Sequence, residues 1–125
     1  MANGIPKTGE IGWNRLMTDD IEKAKAFYQD VFGWETFEVD LEGAPYFIFK
    51  LGAKKIAGLM QLPQQWQAPP HWMSFIAVEN IENTINEARR LGAELIIEPK
   101  IITGLGLVAL FKDPTGAVAG LYQPF

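Results

Sequence analysis

Cysteine is absent from this 125-residue chain, and histidine occurs once, as His71. The absence of cysteine excludes disulfides, thiolate nucleophiles, iron–sulfur clusters and zinc sites built on thiolate ligands. With one histidine, a metal site could draw a single imidazole from this chain, and a Ser-His-Asp triad would need His71 as its base. Composition alone therefore excludes most of the common metal and nucleophile sites.

Long basic runs and long apolar runs are also missing. Eleven Lys and Arg side chains oppose fifteen Asp and Glu, which gives a net charge of -4, and the longest basic runs are the pairs Lys54–Lys55 and Arg89–Arg90. A nucleic acid partner is not expected, because phosphate backbones are bound by basic surfaces. No apolar stretch reaches the length of about 18 residues that a membrane helix requires, and residues 1–6 show no signal-peptide pattern. The sequence therefore predicts a cytoplasmic protein without a membrane partner.

Two helix-like segments with the same apolar spacing lie about sixty positions apart and indicate an internal repeat. Asp19 with Glu22 three residues later predicts a capping box for the first, and Gly33 and Gly92 predict left-handed caps at the two helix ends. In each segment apolar residues recur at steps of three and four, as on one face of an amphipathic helix; they are Ile21, Ala24, Tyr28 and Val31, then Ile81, Ile85, Ala88 and Leu91.

One strand-like run precedes each predicted helix and three follow it. These runs are rich in aromatic and β-branched residues, and they cover residues 10–17, 35–39, 46–51 and 56–61, then 72–78, 94–98, 107–112 and 117–123. The predicted fold class is therefore α+β with two βαβββ modules in a single domain, residues 1–125. Module one covers about residues 10–62, a polar, proline-rich linker covers 63–70, and module two covers 71–125.

The doubled βαβββ pattern resembles the vicinal oxygen chelate superfamily, which includes glyoxalase I, bleomycin-resistance proteins and extradiol dioxygenases. The resemblance covers about residues 10–124, and Asp-Pro-x-Gly before the last strand is its most specific marker; the strings that carry it are Trp13–Asp19, Ala24–Tyr28, Val31–Trp34, Pro70–Trp72 and Asp113–Ala117. The resemblance implies a cup-shaped mixed sheet with the helices outside, and a cup interior that holds metal and substrate.

In metal-dependent members of that family, four positions hold the metal. Carried onto this chain, they fall on Trp13, on the apolar and amide stretch Ala57–Gln61, on Met73 and on Gly120. Indole, thioether and glycine do not provide the imidazole and oxygen donors that hold zinc, nickel, iron or manganese. The resemblance therefore implies the fold without the usual metal site. No cofactor is expected, and a divalent metal would need a displaced site.

Two ionisable residues are candidates for binding or catalysis. His71 lies two residues before Met73, so strand alternation aims both toward the cup. His71 is then a strand-end histidine hydrogen-bonded to backbone, a catalytic or binding group in the cup, or a metal ligand. Arg15 also occupies an inward position, where it either pairs with a carboxylate such as Glu35 or Glu38 or binds an anionic ligand.

Aromatic and methionine side chains on the same runs either line an apolar pocket or fill a core or a dimer interface. They are Trp13, Tyr46, Phe47, Trp66 and Trp72, with Met60 and Met73. The predicted ligand-binding set takes five of these residues together with Arg15 and consists of Trp13, Arg15, Tyr46, Met60, Trp72 and Met73.

Three functional hypotheses follow from these residues. The leading one is a glyoxalase-like domain that binds a small apolar or aromatic molecule in its cup without the usual metal. The second is an enzyme, a lyase, isomerase or dioxygenase type, that uses a displaced metal or acid–base catalysis by His71. The third is a domain whose cup is filled by its own side chains and which acts through dimerisation. Family members commonly form dimers, so the resemblance implies a homodimer.

Overall fold

This computed structural model describes residues 5–125, which form eight strands and two α-helices. Strand β1 precedes helix α1, strands β2, β3 and β4 follow it, and the same order repeats as β5, α2, β6, β7 and β8. The bounds are β1 Ile11–Thr18, α1 Ile21–Phe32, β2 Glu35–Leu41, β3 Ala44–Leu51, β4 Lys54–Gln61, β5 His71–Ala77, α2 Ile81–Arg90, β6 Glu94–Ile102, β7 Gly106–Lys112 and β8 Val118–Pro124. A short 3₁₀ helix, Gln64–Trp66, lies in the predicted linker.

The chain forms two compact units. The first unit comprises residues 14–73, and the second comprises the described residues 5–13 together with 74–125. The division therefore falls inside β1 and β5, whereas the sequence places the module boundary in the linker. The physical reason is backbone pairing: the N–H of Gly9 donates to the Ala77 carbonyl and the N–H of Ala77 donates to the Glu10 carbonyl, both at 2.8 Å.

The first unit contains a four-stranded mixed sheet in the order β1-β4-β3-β2. Strand β1 runs parallel to β4, with Arg15 opposite Gly58, and β3 runs antiparallel to β4, with Ile48 opposite Gly58. Helix α1 covers one face of this sheet. Its residues Ile21, Ala24 and Tyr28 pack against a buried cluster that consists of Leu16, Phe49, Ala57 and Leu59.

The second unit repeats this arrangement with the order β6-β7-β8-β5. Strand β5 runs parallel to β8, with Phe75 opposite Gly120. Ile81 and Ile85 of α2 are buried in a cluster with Val78, Ala109 and Leu121. The parallel first-to-last pairing and the apolar helix face are therefore common to both units, as the sequence repeat predicts.

The helix termini confirm most of the predicted caps and correct one. The N-cap of α1 is Asp20, not Asp19, because the Asp20 carboxylate accepts the backbone N–H of Lys23 at 3.1 Å. Gly33 ends α1 in the left-handed region, with φ of 74°, as predicted. At the end of α2, Gly92 has a positive φ of 102° immediately after the last helical turn.

The fold class expected from the sequence is confirmed. Both units carry one helix on a mixed sheet built from a βαβββ segment, which is the predicted α+β arrangement. No helix among the described residues is long and apolar enough to cross a membrane.

Candidate functional site

Strand alternation divides the side chains of the first unit between two sheet faces. Leu16, Ala57 and Leu59 pack toward α1. Their strand neighbours Arg15 and Gly58 therefore lie on the opposite face. We call this opposite face the far face; its residues are Arg15, Met17, Tyr46, Ile48, Gly58 and Met60.

A buried contact between Arg15 and Tyr46 lies on the far face. Arg15 Nε donates a hydrogen bond to Tyr46 Oη at 3.3 Å, and the guanidinium carbon lies 5.0 Å from the centre of the Tyr46 ring. Arg15 is 3% exposed and Tyr46 is fully buried. The sequence leaves two alternatives open for Arg15, a carboxylate partner such as Glu35 or Glu38 or an anionic ligand, and both glutamates lie at exposed positions of β2. Tyr46 thus supplies a contact that charge pairing alone does not predict.

Gly58 lies on the strand between the two residues of this contact. Arg15 on β1 and Tyr46 on β3 are not on neighbouring strands, because β4 lies between them. Gly58 of β4 is the register partner of Arg15 on one side and of Ile48 on the other. Since glycine carries no side chain, the arginine side chain can extend over β4 toward Tyr46.

The remaining predicted binding residues fall in different places. Met60 of β4 is half-buried on the far face, and Met73 of β5 is buried. Trp13 is also buried but belongs to the second unit, where its ring centre lies 6.2 Å from that of Tyr122. The structure therefore brings Arg15, Tyr46 and Met60 to one face within the first unit.

Trp72 lies on the helix side. Its indole Nε1–H donates to Tyr28 Oη of α1 at 3.2 Å, and its ring meets those of Tyr28 and Trp34 edge-on. Tyr28 in turn stacks on Trp34, with ring centres 5.3 Å apart. Trp72 remains 42% exposed. Its contacts belong to an aromatic cluster that attaches α1, and the alternation that aims His71 and Met73 one way aims Trp72 the other.

His71 is the first residue of β5 and is half-buried. Its Nδ1 lies 2.7 Å from the carbonyl oxygen of Pro69. This contact matches the hypothesis of a strand-end histidine that is hydrogen-bonded to backbone. Because a carbonyl can only accept, Nδ1 carries the proton in a neutral ring and Nε2 is the basic nitrogen.

The four positions that hold metal in metal-dependent relatives do not offer a fitting donor set. Their side chains here are an indole, a thioether, apolar groups and hydrogen, none of which is an oxygen or imidazole donor. At Gly120 there is also no room, because a Cβ would overlap the ring of Phe75. Within residues 5–125, no three His, Asp and Glu side chains are grouped so that they could hold a metal ion.

A shallow cleft of about 390 Å³ lies beside the start of α1. It is not among the sites that the sequence predicts. Its lining residues are Thr18, Asp19, Asp20, Lys23, Ala24, Phe27 and Tyr28. The polar groups there serve the helix start: Thr18 Oγ1 accepts the Asp20 N–H at 3.2 Å, and Asp20 caps the helix. The signal for this cleft is the Thr-Asp-Asp run, which helix capping already explains.

The described residues form two βαβββ units, and the far face belongs to the first of them. The sequence matches the Glyoxalase/Bleomycin resistance protein/Dioxygenase superfamily over residues 10–119. Because the match covers most of the chain, the chain belongs to this superfamily. The resemblance seen in the sequence is therefore confirmed.

Individual relatives agree with this assignment. The chain is 32% identical over 124 residues to CFP32 of Mycobacterium bovis, whose name assigns it provisionally to the glyoxylases, and this match covers 98% of the chain and 47% of that protein. It is also 32% identical over 116 residues to the anthracycline biosynthesis protein DnrV of Streptomyces peucetius, with 93% of the chain and 41% of that protein covered. The chain thus spans about half the length of these relatives.

Solved structures show the same fold. A methylmalonyl-CoA epimerase of Mycobacterium tuberculosis has a TM-score of 0.69 at 16% identity, with 97% of this chain and 93% of that chain covered. A Mn(II)-bound glyoxalase of Novosphingobium aromaticivorans has a TM-score of 0.64 at 19% identity, with 94% and 39% covered. Divalent metal is therefore used within this fold, although the four positions here do not offer suitable donors.

Proposed function

We propose that this chain binds a small apolar or aromatic molecule on the far face, without a metal at the positions that metal-dependent relatives use. The observation that carries the proposal is the chemistry of those four positions. Trp13 and Met73 are buried apolar side chains, the β4 stretch offers no carboxylate, and Gly120 is closed by Phe75. Such side chains favour an apolar ligand body over a hydrated cation.

The composition of the far face supports the same ligand class. Met17, Tyr46 and Ile48 are at most 1% exposed, and Met60 is half-buried beside them. Methionine side chains adapt their shape to flat aromatic surfaces. A relative that is named for anthracycline biosynthesis agrees with a role in small-molecule chemistry.

The metal part of this proposal is tested by elemental analysis. The protein is purified without chelator and its zinc, nickel, iron and manganese contents are measured by inductively coupled plasma mass spectrometry. We expect contents far below one metal per chain. A near-stoichiometric content of any of these metals would contradict the proposal and would favour an enzyme with a displaced metal site.

The ligand part is tested with neutral aromatic probes. Benzamide, phenylacetamide and 2-naphthamide are titrated into labelled protein, and backbone amide shifts are followed by NMR. We expect shifts at β1, β3 and β4, and weaker binding in Met60→Ala, which removes a far-face side chain. The matched control is Leu51→Ala, because Leu51 is 52% exposed. Equal weakening by both variants would place the ligand elsewhere.

An enzyme that uses His71 for acid–base catalysis is the second candidate. The observation that favours it is the contact from Nδ1 to the Pro69 carbonyl, which directs the basic Nε2 away from this backbone. The test incubates the protein with methylmalonyl-CoA in D₂O and follows deuterium incorporation by mass spectrometry. Acid–base catalysis predicts exchange that His71→Gln abolishes. Exchange that is unchanged by this substitution would count against His71 as the base.

The proposal includes a cytoplasmic homodimer. Exposed apolar side chains on α1 support self-association, since Phe27, Val31 and Phe32 are each more than half exposed. Light scattering after size exclusion is expected to give twice the chain mass of 14.0 kDa. Val31→Glu is expected to shift the population toward the monomer. A mass of one chain at every concentration would exclude the homodimer.

A further inference from the structure

Helix α1 exposes apolar side chains next to a cleft. Phe27 is 53% exposed and Val31 is 55% exposed, and because they lie four residues apart they are neighbours on one side of the helix. The cleft of about 390 Å³ beside the start of α1 adjoins the same side, since Phe27 is one of its lining residues. An exposed apolar patch with polar residues around it is typical of an interaction surface.

The cleft has a spacing that accepts a side chain from another helix. Four of its lining residues, counted from the N-cap of α1, are Asp20, Lys23, Ala24 and Phe27. Residues at steps of three, four and seven are neighbours on a helix surface, and four such residues form the hole that receives one side chain of a facing helix. The volume is sufficient for an aromatic ring, since a cavity of about 150 Å³ holds benzene. We call these four residues and Val31 the Phe27 flank.

Opposite charges lie on either side of Phe27. Lys23 comes four residues before it and Asp30 three residues after it, and both residues are exposed. At 100° per residue all three lie within about 60° of one another around the helix. If two antiparallel copies of α1 are related by a two-fold axis near Phe27, Lys23 of each copy comes level with the partner's Asp30. The Phe27 flank is therefore complementary to a second copy of itself in charge.

We propose that α1 forms the interface of a two-fold homodimer, in which the Phe27 ring of each copy packs into the cleft of the other copy. This inference rests on the homodimer of the proposed function, because it names the surface through which the second copy binds. A two-fold interface uses the same patch on both copies, so a patch that carries both a protruding ring and a cleft is self-complementary. Burial of Phe27 and Val31 supplies the apolar contact, and the ion pairs fix the antiparallel orientation.

Loss of the Phe27 ring tests the apolar contact. Sedimentation velocity at about 1–300 µM chain measures the dissociation constant of the dimer, which we expect in the micromolar range because one helix side gives a small interface. Phe27→Ala is expected to raise this constant at least about tenfold. Phe32→Ala is the matched control, since Phe32 is also 53% exposed but lies about 140° around the helix from Phe27. Its effect should stay below about threefold.

Charge reversal tests the orientation of the two copies. Lys23→Glu and Asp30→Lys each place like charges opposite one another, so each is expected to weaken dimerisation about three- to tenfold at low salt. A mixture of the two variants restores attraction in both pairs, so mixed dimers should outnumber the two homodimers in native mass spectra. The double variant should bind as tightly as the wild type. Both substitutions suit the helix dipole, with an acid in the first turn and a base in the last, so α1 should remain folded.

The outcomes separate this inference from the proposed homodimer. A dimer with the same dissociation constant in Phe27→Ala as in the wild type overturns the α1 interface and leaves a homodimer through another surface. A monomer at every concentration overturns both. Statistical pairing in the mixture of charge variants overturns the antiparallel two-fold arrangement. If circular dichroism shows that Phe27→Ala is unfolded, the mixture of charge variants decides, because both of its members keep the aromatic ring.

Discussion

Arg15 Nε donates a hydrogen bond to Tyr46 Oη at 3.3 Å, although the two residues lie on strands that are separated by a third. Both side chains are almost completely removed from solvent. A hydrogen bond from a charged donor is stronger than one between neutral groups, and burial raises the cost of losing it. The contact between β1 and β3 therefore contributes to stability, and it also holds the charged Arg15 side chain on the far face.

Tyr46→Phe is expected to lower the free energy of unfolding by about 1–3 kcal/mol, because it removes the acceptor of a buried charged donor. Urea unfolding followed by circular dichroism measures the change. Tyr28→Phe is the matched control, since the Tyr28 hydroxyl accepts an exposed hydrogen bond from Trp72. The control is expected to cost about 1 kcal/mol or less. A Tyr28 variant as destabilised as the Tyr46 variant would refute the importance of the buried contact.

Trp72 and Met73 are adjacent in β5 but are expected to respond differently to substitution. Trp72→Phe removes the hydrogen bond to Tyr28 and should cost about 0.5–1.5 kcal/mol of stability, with probe affinity unchanged. Met73→Ala, at a 4% exposed position on the opposite side of the strand, should weaken binding of 2-naphthamide. NMR titrations of both variants check this expectation. Weaker binding in Trp72→Phe alone would return Trp72 to the ligand-binding residues.

Gly120 is expected to tolerate no side chain while Phe75 keeps its position. A Cβ at residue 120 would overlap the Phe75 ring, so Gly120→Ala should cost about 1–3 kcal/mol through overpacking. The double variant Gly120→Ala with Phe75→Leu should lose less stability than the sum of the two single variants. Thermal and urea unfolding of the three variants measure this coupling. Strict additivity would show that the two side chains do not compete for the same space.

Asp113 is expected to make stability depend on pH in the acid range. The Thr115 hydroxyl, together with the backbone N–H groups of Ala117 and Thr115, donates to its carboxylate and lowers the pKa of Asp113 below its ordinary value. A carboxyl whose pKa is lower when folded stabilises the protein above its unfolded pKa, and this contribution is lost as the pH falls through the folded pKa.

Asp113→Asn should therefore reduce the stability lost below the ordinary pKa of 3.8. Melting temperatures between about pH 2 and pH 7 measure the effect. Glu42→Gln serves as a comparison for a carboxylate in another exposed turn. Identical pH profiles for the wild type and Asp113→Asn would show that the turn does not depend on the ionised carboxylate.

The order of strands and helices could be read from the sequence because it depends on local patterns. Steps of three and four in the apolar residues mark both helices, and Gly33 is suited to the left-handed cap that it adopts. The first cap was misplaced by one residue because Asp19 and Asp20 are both good N-caps. Strand alternation also places Trp72 and Met73 on opposite sides of β5, although the sequence analysis grouped both residues in one predicted pocket.

The sequence by itself determined which side chains this chain offers at the family's ligand positions. A chain without cysteine, with one histidine, and with indole, thioether and glycine at the family's ligand positions has these properties in any conformation. Only the tertiary structure decided that Arg15 meets Tyr46, thirty-one residues away in the chain. That contact forms across β4, which lies between β1 and β3 and places Gly58 opposite Arg15. Strand order and register arise from long-range packing, which residue types along the chain do not specify.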